Sequence, residues 1–193
     1  MRLLHVKLYV KYLNIDIVYM DIIFTGMKDH VDGMLRQWQD ARPDLDVSPL
    51  AILSRVMLLS KHIEKNRKMV LAPFGLDTWS FDVLASLRRQ GEPFSLSPTE
   101  LRRGSIVTSG AMTNRIDRLE ERSLVERVPN PHDRRAILVR LTSKGLELID
   151  EAVIARLEGA DNFASRLREQ DREQLTHLLR KLLVTETQAS THP

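Results

Sequence analysis

The side chains in this sequence that could engage another molecule are donors, acceptors and fixed cations, and they are concentrated in one stretch. Thr108, Ser109, Thr113, Asn114, Asp117 and Arg118 lie close together, and Arg134 and Arg135 follow at a tip rich in proline. An amide such as Asn114 can offer a paired donor and acceptor to adenine, and a guanidinium such as Arg118 can fork onto guanine or a phosphate. Thr108 and Ser109, at the start of a helix, are placed for a phosphate. Between Ser97 and Gly145 stand ten basic and six acidic residues, an excess of four, against +3 for all 193 residues. Positive charge therefore collects where the polar set lies, as neutralising a polyanion requires.

No comparable pattern supports catalysis. The six histidines (His5, His30, His62, His132, His177 and His192) are scattered without metal-ligand spacing, and there is no glycine-rich phosphate loop or nucleophile motif. Neither enzymatic activity nor a cofactor is expected. With no cysteine, the chain has no disulfide, thiolate metal site or thiol nucleophile. That composition fits an intracellular, cytoplasmic home.

The polar set needs a scaffold, and the sequence spells one out. Ser97-Pro98-Thr99-Glu100 is a capping box opening a brief helix. A second helix runs from Thr108 to Glu120. A strand, Leu124–Val128, leads to the tip Pro129–Arg135, and a second strand, Ala136–Leu141, closes the unit. Helix, helix, hairpin with a basic tip is the order of a winged helix-turn-helix. At about 100° per residue, Met112, Ile116 and Leu119 share one side of the second helix, while Gly110, Asn114 and Asp117 face away. Arg115 falls at the rim of the apolar side, which makes it a poor base reader and turns it inward, toward a carboxylate or a backbone carbonyl. At the tip, an arginine suits a narrow minor groove, and Asp133 holds either an arginine or the turn.

Longer helices flank this unit. Lys28–Ala41 carries Val31, Met34, Leu35 and Trp38 on one face. A helix begun at Ser48-Pro49 keeps three-four apolar spacing until Pro73 and Gly75 end it. Asp77 caps another, with Trp79, Phe81, Val83, Leu84 and Leu87 inward. Beyond the hairpin, Thr142 caps a long helix, residues 161–168 read as a bend or weak helix, and a last helix spans Glu169–Val184. The terminal helices present more apolar surface than one small reader can cover, which favours a two-fold dimer on a palindromic site over a monomer packed on itself.

The expected organisation is an extra N-terminal extension (1–26), N-terminal helices for dimerisation and a ligand pocket (28–76), the winged helix-turn-helix (77–141), C-terminal dimerisation helices (142–184) and a disordered tail (185–193). The fold class is mainly α with a small β-wing. Residues 1–26 are apolar but interrupted by Lys7, Lys11, Asp16 and Asp21, so neither a membrane span nor a signal peptide is expected. An upstream extension and an added arm packing on the dimer both remain open.

Thr113–Glu120, Leu124-Val125-Glu126-Arg127, Asp133-x-Arg135 and Leu141-Thr142-x-x-Gly145 together resemble the MarR family of transcription regulators. The resemblance covers about residues 28–184 and implies a homodimer joined by its terminal helices. It implies a repressor of a double-stranded DNA operator, released by a small ligand, with Arg135 as the minor-groove arginine. Ser123 departs from the family, which commonly has glycine there. Within the family the chain is similar to the urate-responsive (PecS-like) branch, which implies ligand or switch roles for Trp38, Asp82, Arg115 and Arg127. The effector is then urate-like or an aromatic anion. Without it, Asp82 pairs with an arginine and holds the recognition helix; an anion beside Trp38 competes for that arginine. The alternative is a winged-helix module that binds protein or coats DNA without a ligand.

Overall fold

Most helices among the described residues begin where a short polar side chain can close the first turn. The computed structural model describes residues 28–103 and 108–189, so the expectation for residues 1–26 lies outside the described residues. Packing divides the chain into two units, between His62 and Ile63.

In the N-terminal unit, Asp29 accepts from the backbone N–H groups of Val31 and Asp32 and caps α1 (His30–Ala41), with Asp32 completing the box. The helix thus begins two residues later than Lys28, because Asp29 is the better cap. Arg55, on α2 (Pro49–Leu71), reaches back to both carboxylates, 2.9 Å from Asp29 and 2.7 Å from Asp32. Val31 and Val47 are buried, whereas Ile52, Leu53, Val56 and Met57 on α2 are exposed.

The second unit begins in the last turns of α2, which give way to a 3-10 turn over Ala72–Phe74 and then Gly75 at φ 62°. Asp77 and Ser80 form a reciprocal cap for α3 (Thr78–Arg89). A two-residue strand, β1 (Ser95–Leu96), precedes α4 (Pro98–Arg103), which Ser97 and Glu100 cap as the sequence predicts. Next come α5 (Ser109–Glu121), β2 (Val125–Asn130), β3 (Asp133–Leu141), α6 (Ser143–Ala164) and α7 (Glu169–Ala189). The three strands form an antiparallel sheet in the order β1-β3-β2.

The core lies between α3, α5, the sheet and α6. Leu84, Leu87, Ile116, Leu119, Val139 and Ile149 are each 1 % exposed or less, and each such side chain stabilises the fold by about 1.5–3 kcal/mol. Arg88 of α3 pairs with Asp150 of α6 at 2.6 Å, on the rim of that core.

Four features differ from the sequence-based expectation. The strands run further toward the tip, leaving only Pro131 and His132 between them. Pro129 is accommodated because β2 lies at the sheet edge, where a missing N–H breaks no ladder. β1 was not expected, since two residues carry no periodicity. α6 continues to Ala164, so the anticipated bend is confined to 165–168. Finally, α7 extends to Ala189, so residues 185–189 are helical rather than part of a disordered tail.

Candidate nucleic-acid interface

A helix that reads another molecule must bury one side and leave the other free. On α5, Met112, Ile116 and Leu119 are 2 %, 1 % and 0 % exposed, while Ser109, Thr113, Asn114, Asp117 and Arg118 are all exposed. The rotational arithmetic from the sequence therefore places the core side correctly. Thr108 caps the helix, its hydroxyl oxygen accepting from the Ala111 N–H at 3.3 Å, and the Thr113 hydroxyl donates to the Ser109 carbonyl at 3.2 Å.

The C-terminal end of α5 is set with equal care. Ser123 N–H donates to the Glu120 carbonyl and Leu124 N–H to the Leu119 carbonyl, the paired bonds of a Schellman turn. Ser123 takes φ 58°, the left-handed conformation that favours glycine. Thr142 fastens α6 to this turn: its hydroxyl donates to the Ser123 carbonyl at 2.8 Å and accepts from the Gly145 N–H at 3.0 Å. At Gly145 a Cβ would stand 1.9 Å from the Leu124 carbonyl oxygen, so only glycine permits this approach. Leu141-Thr142-x-x-Gly145 is thus a joint between the recognition helix, the hairpin and α6.

The hairpin carries its own braces. Glu126 and Arg140 face each other across β2 and β3 and pair at 2.8 Å. At the tip, Asn130 accepts from the His132 N–H and Asp133 from the Arg135 N–H, both at 2.9 Å. Asp133 therefore holds the turn, one of its two expected roles. The Arg135 side chain is exposed, and Arg134 lies beside it in β3.

Four residues assigned to a ligand or switch are placed as follows. Trp38 is 47 % exposed on α1. Asp82 pairs not with an arginine of the reader but with Arg67 of α2, at 2.5 Å. Arg67 also lies over the Phe81 ring and donates to the Thr78 carbonyl. Arg115 is half-buried, as expected, yet its partner is neither a carboxylate nor a carbonyl; the guanidinium lies over the Trp79 ring, 5.5 Å from its centroid. Arg127, from β2, grips α5 through Glu120 and, at 2.5 Å, through Asp117. The Asp117 carboxylate raises Arg127 above the ordinary guanidinium pKa. Sequence reasoning missed Arg67 and Trp79, which act through tertiary contacts. It also set Asp117 against DNA and Arg127 against a ligand, where the structure joins the two.

Among the described residues no group of histidine and acidic side chains could hold a metal, and no helix is long and apolar enough to cross a membrane.

A buried-backed polar helix beside a hairpin with an arginine at its tip defines a winged helix-turn-helix. Comparison with known proteins narrows the class. A model of the MarR family matches residues 74–136. The HTH-type transcriptional regulator PecS of Dickeya dadantii (strain 3937) is 32% identical over 149 residues, spanning 77% of this chain and 90% of PecS. The transcriptional repressor MprA of Escherichia coli (strain K12) is 29% identical over 167 residues, covering 85% of this chain and 90% of MprA. Among solved structures, a mutant MarR from E. coli complexed with operator DNA matches with a TM-score of 0.61 and 26% identity, over 76% of this chain and 97% of that one. This chain belongs to the MarR family of winged-helix transcription regulators, which are not enzymes.

Proposed function

We propose that the chain is a ligand-released repressor that binds a palindromic operator as a homodimer, with a small anionic or aromatic molecule such as urate as effector. The observation that carries the DNA-reading part is the exposed row Thr113, Asn114 and Arg118 on a helix whose opposite side is locked into the core. Asn114 and Arg118 address base edges in the major groove, Thr108 and Ser109 a phosphate, and Arg134 and Arg135 the flanking minor groove. The related MarR structure holds operator DNA, which supports this reading.

Dimerisation is favoured by apolar side chains left exposed on the helices at both ends. Ile52 and Val56 of α2 are 62 % and 42 % exposed, and Leu178, Leu179 and Leu182 of α7 are 49 %, 40 % and 50 % exposed. We assign residues 28–76 and 142–184 to dimerisation, with the former also contributing to the effector site, and 77–141 to DNA reading. For the effector, Trp38 offers an exposed aromatic face in the N-terminal unit; taken by itself, the second unit offers Arg115, a cation without a carboxylate partner among the described residues, and Asp82, a negative charge that an anion would disturb.

The test is binding of the full chain to a duplex selected by it from random sequence, against a scrambled duplex at one fixed salt concentration. Asn114→Ala should cost about tenfold on the selected duplex and relax its preference at one base position, and Arg135→Ala should weaken binding further. Equal affinity of the wild type for both duplexes means a non-specific coat or a protein-binding module. Addition of urate should release the selected duplex, and Trp38→Phe should blunt that release.

A further inference from the structure

Arg127 meets the recognition helix at three points. Its Nη1 meets Glu120, its Nη2 meets Asp117 at 2.5 Å, and its backbone N–H donates to the other oxygen of Glu120 at 3.1 Å. Asp117 and Glu120 stand three apart on α5 and so share one side of it. The guanidinium bridges them from a strand of the hairpin. Its planar fork matches two carboxylates in a way the point charge of a lysine cannot.

We propose that Arg127 is a positioning residue that fixes the recognition helix against the wing and thereby sets operator specificity. The proposal rests on the DNA-reading assignment above and deepens it. Two physical consequences follow from the bridge. First, Asp117 and Glu120 lie on the helix that is to approach phosphates, where uncompensated carboxylates repel; the single charge of Arg127, shared between them, offsets half of that negative charge. Second, major-groove contacts from Asn114 and Arg118 and a minor-groove contact from Arg135 are made together only at one angle between α5 and the hairpin. The Glu126–Arg140 pair stiffens the hairpin internally, and the Arg127 bridge ties the stiffened hairpin to the helix. Asp117 then reads no base: it is an anchor for the angle at which its neighbours read.

The experiment compares wild type, Arg127→Gln, Arg127→Lys, Asp117→Asn and the double variant Arg127→Gln/Asp117→Asn on the selected and scrambled duplexes, over a range of salt. The expected result is a fall of about tenfold in the ratio of selected to scrambled affinity for each single variant, lysine included. Affinity for scrambled DNA should fall by a smaller factor in Arg127→Gln, where both carboxylates are left uncompensated, and the double variant should be no worse than the worse single one. Arginine acting on a phosphate instead predicts equal loss on both duplexes, a slope reduced by about one and rescue by lysine. Arginine acting on the effector predicts intact discrimination and loss of urate release. Either result overturns the proposal. If the wild type does not discriminate, the DNA-reading assignment fails by itself. The brace is then decided by amide hydrogen exchange of residues 113–121 in the DNA-free protein, where Arg127→Gln accelerates exchange if the bridge holds the helix and leaves it unchanged if not.

Discussion

Ser123 holds a conformation that its own side chain resists. The turn after α5 needs a left-handed residue so that Leu124 can bond back to Leu119, and serine supplies it at φ 58°. A left-handed residue with a Cβ costs about 1–2 kcal/mol, part of which glycine would return as chain entropy in the unfolded state. Ser123→Gly should therefore raise stability by about 0.5–1 kcal/mol in chemical denaturation without altering affinity for DNA. An unchanged or lower midpoint would show that the Ser123 side chain repays its strain elsewhere. Much of the residue scale was legible beforehand. The sides of α5 follow from rotation per residue, and the discomfort at Ser123 was visible as a departure from glycine. The partner of Asp82 was not legible, because Arg67 lies fifteen residues away on another helix and competing arginines look alike in a sequence. The bridge from Arg127 left a faint trace: two acidic residues three apart on a helix, followed by a turn that brings the next strand back beside it.

Helix ends are where this sequence speaks most clearly, and they make acid sensitivity predictable. The Ser97 hydroxyl and backbone N–H hold Glu100 below its ordinary pKa. Arg55 does the same for Asp32, Arg42 for Asp44, and the Ser48 N–H for Asp46. A carboxyl group whose folded pKa is depressed contributes stability that is complete above its unfolded value and is lost as pH falls through the folded one. Melting temperature should thus be flat above about pH 5 and decline steadily below it. Ser97→Ala should cost about 1 kcal/mol at neutral pH and flatten part of that decline, since Glu100 then loses the hydroxyl that depresses it. A decline just as steep in the variant would place the acid sensitivity elsewhere. Caps were readable because they depend on neighbours in sequence. β1 and the last turn of α7 were not: a two-residue strand is defined only by its partner Val139–Arg140, and Thr185–Ala189 carries no apolar stripe.

For the whole molecule, the proposed dimer places its contact on the exposed leucines of α7. Leu179→Asp combined with Leu182→Asp places charge in the middle of the proposed contact while leaving the core of the reader untouched. Sedimentation should then report one copy in place of two, and affinity for a palindromic duplex should drop by at least about a hundredfold as avidity is lost. A double variant that still sediments as two copies would move the contact to other helices. The class of fold was legible at this scale, because the order of helices and hairpin is itself the signature. The faces proposed to meet a second copy were legible only as surplus hydrophobicity.

The missing side chain at Gly145 has a mechanical meaning. With the first turn of α6 seated directly on the Leu124 backbone and stitched to it by Thr142, there is no compressible layer between that long rod and the reading head. The first turn of α6 is therefore held directly against the turn that ends α5. The pivot is backbone against backbone, and a single methyl group wedged there would throw the head out of alignment.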